Sequence, residues 1–353
     1  MQILVQNSEE ENNLQKLVLK ELPVYREAYS DRTCFICACL SDLVYLKFNE
    51  PIIDISNKDL INKVTKLVDE KRVSSLYKLI DLLSYDNNEE KEKLKNELKF
   101  LKLEVKKLFD KNGTQAMIVS SKDFYFLVFR GTEPTSIEDL KADLKANQIK
   151  CNTEGKIHQG FNTAFDVIKD EIQDYINENC QDKPLLITGH SLGGALATVA
   201  TKKLLHSQIA ACYTFGSPRV ADEDWMLGIK TPVYRIVNSA DPVTMLPPGA
   251  EVMDTLTFVL KFVPYIGDKF SEYLKRHFKD YSHTGYMRYL TNIENGEYEK
   301  ARLLYSVSFT RRIRAYLLKK APFTSIPSDH TMSTYRKKIF HIAISKNKLK
   351  KEK

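Results

Sequence analysis

The chain has 353 residues, 43% hydrophobic and 28% charged, with a formal net charge of +7, enough for one large α/β domain or two ordinary ones. Its longest apolar stretch, residues 255–267, is interrupted by Lys261 and Pro264 and is too short to span a bilayer as a helix, so a soluble or peripheral protein is expected. Six cysteines, three of them at Cys34, Cys37 and Cys39, are too few and too crowded for a spaced disulfide framework, and no second pair completes a zinc-type spacing.

Buried thiols in a reducing compartment are therefore expected, with no metal. The charge is segregated. Residues 301–353 hold fourteen Lys and Arg against two acids, +12, which leaves −5 for residues 1–300. A basic end of this kind suits anionic lipid headgroups. Nucleic acid is the less favoured partner, and a solvated basic face is the plainer alternative. The N-terminal residues Met1 to Glu11 lack a basic opening and an apolar core, so no secretory signal is expected. A cytoplasmic or peripheral protein fits, as does one exported by a route without such a signal.

In chain order, residues 30–47 predict an amphipathic helix capped by Ser30 or Asp31. Residues 57–110 are Lys/Glu/Leu-rich, free of glycine and proline to residue 109, and read as a helical addition broken around 84–88. Residues 114–120 and 124–130 are β-rich runs joined by Ser121, Lys122 and Asp123, a predicted hairpin. A helix follows over 161–179, then strands near 184–187, 210–215 and 233–237 with a helix at 195–200. Residues 251–280 read as a helical insert, 301–320 as a basic amphipathic helix, and 341–353 as a basic tail. Alternating β and α elements predict one domain, with a core at about 24–340, built on a mainly parallel sheet flanked by helices.

Residues 189–194, Gly-His-Ser-Leu-Gly-Gly, sit between the apolar run 184–187 and the helix-forming run that follows. A Gly-x-Ser-x-Gly pattern arises by chance in roughly 3% of chains this poor in glycine, so a turn without chemistry is the weaker reading. The pattern is that of a nucleophile elbow, which presents Ser191 at the tip of a tight strand-to-helix turn. The same turn aims the Leu192 N–H at the oxygen that becomes negative in acyl transfer.

A serine nucleophile needs a base and an acid to orient it, in the chain order Ser, Asp or Glu, His. Asp241 follows the strand at 233–237 and is the leading acid. An Asx turn before Pro242 is the bland alternative. Four histidines follow it: His277, His283, His330 and His341. His330, in a loop leading into a C-terminal helix, is preferred, with His283 second. His190 precedes the serine and is expected to support the elbow.

With these residues the chain resembles the class 3 lipases, an α/β-hydrolase family of fungal triacylglycerol lipases and related bacterial esterases, as a bacterial-type member. The similar motifs are 189–194, Phe129-Arg130-Gly131-Thr132, His158-Gln159-Gly160-Phe161, Tyr213 to Val220, Asp241-Pro242-Val243, Tyr281-Ser282-His283 and Asp329-His330. The resemblance implies an α/β-hydrolase fold with helical insertions. It implies Ser191 as nucleophile, Asp241 as acid, His330 as base and Thr132 with Leu192 as oxyanion donors, with His283 structural. It also implies a lid, for which residues 135–144 fit, although their charge is high for a strongly interfacial lipase.

The expected activity is hydrolysis of acyl esters of lipids, acylglycerol or phospholipid, through an acyl-enzyme and without a cofactor. Two other classes fit the sequence. One is a non-catalytic binding or scaffold protein that keeps the fold, and the other is an acyltransferase that passes the acyl group to an alcohol.

Overall fold

The computed structural model describes residues 2–19, 28–48, 58–70, 86–131, 148–151, 154–247, 249, 281–294, 296–318 and 328–349. The lid candidate at 135–144, Thr132, the insert at 251–280 and His277 lie outside the described residues.

An eight-stranded sheet organises the molecule. Its strands are β1 (Glu104–Lys111), β2 (Thr114–Ser120), β3 (Tyr125–Phe129), β6 (Leu185–His190), β7 (Ile209–Phe215), β8 (Val233–Asn238), β9 (Tyr286–Leu290) and β10 (Leu303–Leu304), in that spatial order. The five from β3 to β9 run parallel, and β1, β2 and β10 add antiparallel edges. A separate ribbon pairs β4 (Gln148–Lys150) with β5 (Lys156–His158). The central strand β6 is buried along its whole length, which its unbroken apolar opening anticipates.

Helices cover both faces, and this is the α/β-hydrolase fold. On one face lie α1 (Ser8–Val18), α2 (Asp31–Leu43), α4 (Asn87–Phe100) and the C-terminal helix α9 (Met332–Leu349). On the other lie α5 (Gln159–Asn179) and α6 (Leu192–Lys203). Helix α5 buries Phe161, Phe165, Ile168, Ile172 and Ile176, a three-and-four spacing that puts one stripe on the sheet. Each such side chain contributes about 1.5–3 kcal/mol of apolar burial. Among the described residues the remaining α-helices are α3 (Lys58–Asp69), α7 (Glu223–Leu227) and α8 (Phe309–Leu318).

Several expectations are corrected. The helical addition at 57–110 ends early, because residues 104–111 form the edge strand β1. There Phe109 turns into the core while the flanking charged residues stay in water, and pairing with β2 decides against local helix propensity. The basic helix expected over 301–320 starts only at Phe309, since Leu303 and Leu304 pair with β9, and it is described to Leu318. The tail expected from residue 341 is helical to Leu349, with Ile342 and Ala343 buried against the core. Helix α2, capped by Ser30, is buried almost all round rather than amphipathic, and its three cysteines are free thiols in the core.

The hairpin of β2 and β3 forms with Ser120 opposite Tyr125. Two charged clamps fix the chain ends to the sheet layer. Glu97 accepts from the N–H groups of Ile3 and Leu4, and Arg336 donates to Asp42 and to the carbonyls of Ile3 and Leu4.

Candidate active site

Strand β6 ends at His190, and helix α6 starts at Leu192. Between them Ser191 has φ 55° and ψ −126°, a left-handed conformation that costs a non-glycine residue about 1–3 kcal/mol. The turn closes because its neighbours lack side chains: a Cβ on Gly189 would strike the Gly193 carbonyl, and one on Gly193 would strike the Phe129 carbonyl. Ser191 N–H donates to Phe215 O at 2.9 Å, which locks the elbow to β7. At the first position of α6, the Leu192 N–H belongs to the helix's opening turn, where no intrahelical acceptor is available.

The structure brings Ser191, His330 and Asp241 into one hydrogen-bonded chain. His330 Nε2 lies 2.9 Å from Ser191 Oγ, and His330 Nδ1 lies 2.9 Å from Asp241 Oδ2. A carboxylate only accepts, so Nδ1 carries the ring proton and Nε2 is left to accept from the serine hydroxyl. Ser191 is 1% exposed and His330 3%, so the chain is shielded from water. Asp241 sits in the loop after β8, at the carboxyl end of the parallel strands.

Other residues fix these three. Asp241 Oδ2 also accepts from the Tyr335 hydroxyl at 2.6 Å, and Oδ1 accepts from the Val243 N–H at 2.9 Å. Burial, then the neighbouring Asp241, pushes the Tyr335 phenol well above its ordinary range, so it stays a donor. Gly216, with φ 57°, backs the pair: a Cβ there would lie 2.8 Å from Asp241 Oδ2 and 3.1 Å from His330 Nδ1. The turn at Ser328–His330 is held by Asn238, whose Nδ2 donates to Asp329 O and Oδ1. Fully buried Lys338 donates to Asn238 Oδ1 and Thr291 O and stands 3.8 Å from Asp329 Oδ1.

The other histidines are placed elsewhere. His283 Nε2 donates to Thr244 O at 2.8 Å beside Arg219, Arg235 and Arg312, and burial followed by these arginines holds it neutral. Arg235 itself is lowered to about 9 by burial and then by Arg312 and Arg219. His341 stacks on Tyr298, and His158 caps α5 by accepting from Phe161 N–H. His190 contacts Tyr45 and the carbonyl of His330. Tyr45, Tyr335, Asn238 and Lys338 were not anticipated from sequence.

Among the described residues no group of three or more His, Cys, Asp and Glu is arranged to hold a metal ion, and no helix is long and apolar enough to cross a membrane.

Residues 126–251, which carry the elbow and Asp241, match the family model for lipase (class 3). Over 99 residues the chain is 34% identical to a secreted mono- and diacylglycerol lipase of Fusarium solani, covering 26% of this chain and 30% of that one. Over 155 residues it is 30% identical to a lipase of Rhizopus niveus, covering 40% and 39%. Over 146 residues it is 31% identical to a chloroplastic phospholipase A(1) of Arabidopsis thaliana, covering 34% and 32%. The chain thus spans only about a third of the length of these curated relatives. They are fungal and plant proteins and lend no support to a bacterial-type member.

Proposed function

We infer that this chain is a class 3 lipase-family serine hydrolase that cleaves acyl esters of lipids, acylglycerols or phospholipids, through an acyl-enzyme. The observation that carries this reading is the Ser191–His330–Asp241 chain at a strained elbow, with Ser191 and Asp241 inside the segment that matches the family model. His330 Nε2 takes the Ser191 proton as Oγ attacks the ester carbonyl. The imidazolium that forms is stabilised by Asp241, itself oriented by Tyr335 and Val243. Leu192 N–H, with Thr132 as its expected partner, stabilises the oxyanion, a contribution worth about 10²–10³ in rate for each donor.

Collapse of that intermediate breaks the ester C–O bond, and His330 returns its proton to the departing alcohol. Water then attacks the acyl-serine, giving its proton to His330, and the fatty acid leaves as Ser191 regains its own.

Peripheral contact with anionic lipid is part of this proposal. It is supported by exposed Arg311 and Arg314 on α8, the helix whose Arg312 donates to Thr244 just beyond the acid. The test is hydrolysis of diacylglycerol emulsions, phosphatidylglycerol vesicles and a short-chain chromogenic ester. Wild-type protein releases fatty acid, and Ser191→Ala falls by on the order of a millionfold, to background. Folded wild-type protein that leaves all three uncut overturns the reading.

A further inference from the structure

The residue before the nucleophile makes two hydrogen bonds that the reaction just described does not use. His190 Nε2 is 2.7 Å from the backbone oxygen of His330, and His190 Nδ1 is 2.9 Å from the Tyr45 hydroxyl. A carbonyl oxygen only accepts, so Nε2 carries the proton. Nδ1 is then an acceptor, and the Tyr45 hydroxyl is its donor. His190 is 5% exposed, and its burial, with His330 alongside, holds it well below the ordinary histidine range and therefore neutral. Its ring centroid is 4.7 Å from that of His330 and 5.9 Å from those of Tyr45 and Tyr335.

Tyr45 also touches the segment that leads to the expected oxyanion donor. The Arg130 guanidinium lies 5.7 Å from the Tyr45 ring centroid. Gly131 passes so close that a Cβ on it would stand 2.5 Å from both the Tyr45 hydroxyl and the His190 carbonyl oxygen. One phenol, just beyond the end of α2, therefore packs on the end of β3 and reaches the base through His190.

We propose that Tyr45 and His190 are positioning residues: His190, whose Nε2–H donates to the His330 carbonyl while its Nδ1 is held by the Tyr45 hydroxyl, anchors the backbone of His330 and couples the base to the end of β3. Asp241 and Tyr335 set the direction of the His330 ring, whereas His190 sets where that ring is attached. An error of about 1 Å at that attachment would cost on the order of a hundredfold in rate without touching substrate contacts. A glutamine at 190 still offers a donor near the Nε2 position but no longer accepts from Tyr45. A phenylalanine at 45 removes the donor and leaves the ring.

The inference rests on the proposed hydrolysis, so it is tested in two ways that fail separately. With 15N-labelled histidine in the Ser191→Ala protein, NMR should find His190 in the Nε2–H form and neutral well below the ordinary histidine range, and Tyr45→Phe should shift its Nδ1 resonance. This measurement needs no turnover. A His190 that is charged at neutral pH, protonated at Nδ1, or unmoved by Tyr45→Phe overturns the assignment.

With an active enzyme, Tyr45→Phe should lower kcat about tenfold and His190→Ala about a hundredfold. His190→Gln should recover part of that loss, with KM within about twofold throughout. Tyr45→Phe and His190→Gln at wild-type kcat, or losses confined to KM, overturn the positioning role. If His190→Ala does not fold, Tyr45→Phe and His190→Gln carry the kinetic test.

Discussion

At the residue scale, the triad candidates were legible because each sits in a pattern with a physical cause. The elbow needs small residues around Ser191, the acid needs the loop after a central parallel strand, and chain order leaves few histidines. What supports them was not legible. Tyr335 reaches Asp241 only because α9 packs on α2 and meets the end of β8 at Asn238, and Tyr45 reaches His190 only because α2 packs over β6; neither orientation is written in local sequence. Tyr335→Phe removes a hydrogen bond to a charged acceptor and should lower kcat/KM about tenfold, with the melting temperature nearly unchanged. Gly216→Ala forces a methyl group between Asp241 and His330 and strains a positive φ. It should cost on the order of a hundredfold in kcat/KM, and full activity in the folded variant would contradict the geometry.

At the element scale, the long parallel-sheet elements were readable, and the edges were not. Residues 104–111 look helical by composition, and only pairing with β2 makes them a strand. The end of the C-terminal helix, from residue 341, looked like a basic tail because of its lysines, yet it is helical to Leu349, and an earlier lysine of the same helix, Lys338, is fully buried. It joins α9 to the end of β8 and to the turn that holds His330. Removing one partner of a buried ion pair costs about 3–5 kcal/mol, so Lys338→Ala should lower the urea midpoint markedly. Lys338→Met, which refills the volume, should cost less. Equal stability of wild type and Lys338→Ala would mean that the lysine does not hold these elements.

At the scale of the whole molecule, alternation of strands and helices was enough to predict a mainly parallel sheet flanked by helices, and the resemblance of the motifs implied that the sheet is that of an α/β-hydrolase. The elements outside that alternation were the ones misjudged. Two histidines shape the response to acid. His190 and His283 are held neutral, well below the ordinary value of 6.5 that they regain on unfolding. The unfolded chain therefore binds more protons, and stability should fall as pH drops below about 6.5, by up to about 1.4 kcal/mol per pH unit for each histidine. Urea melts between pH 5 and 7.5 should show this slope, and a flat profile would mean that both rings are already charged or exposed.

The central claim is that Ser191 is a nucleophile activated by His330. The most direct test is to treat the protein with a fluorophosphonate in detergent and map the adduct by mass spectrometry. A single adduct on Ser191 that is lost in folded His330→Ala is the result expected. Folded protein that takes no label, or a Ser191 adduct that forms equally fast without His330, would contradict it.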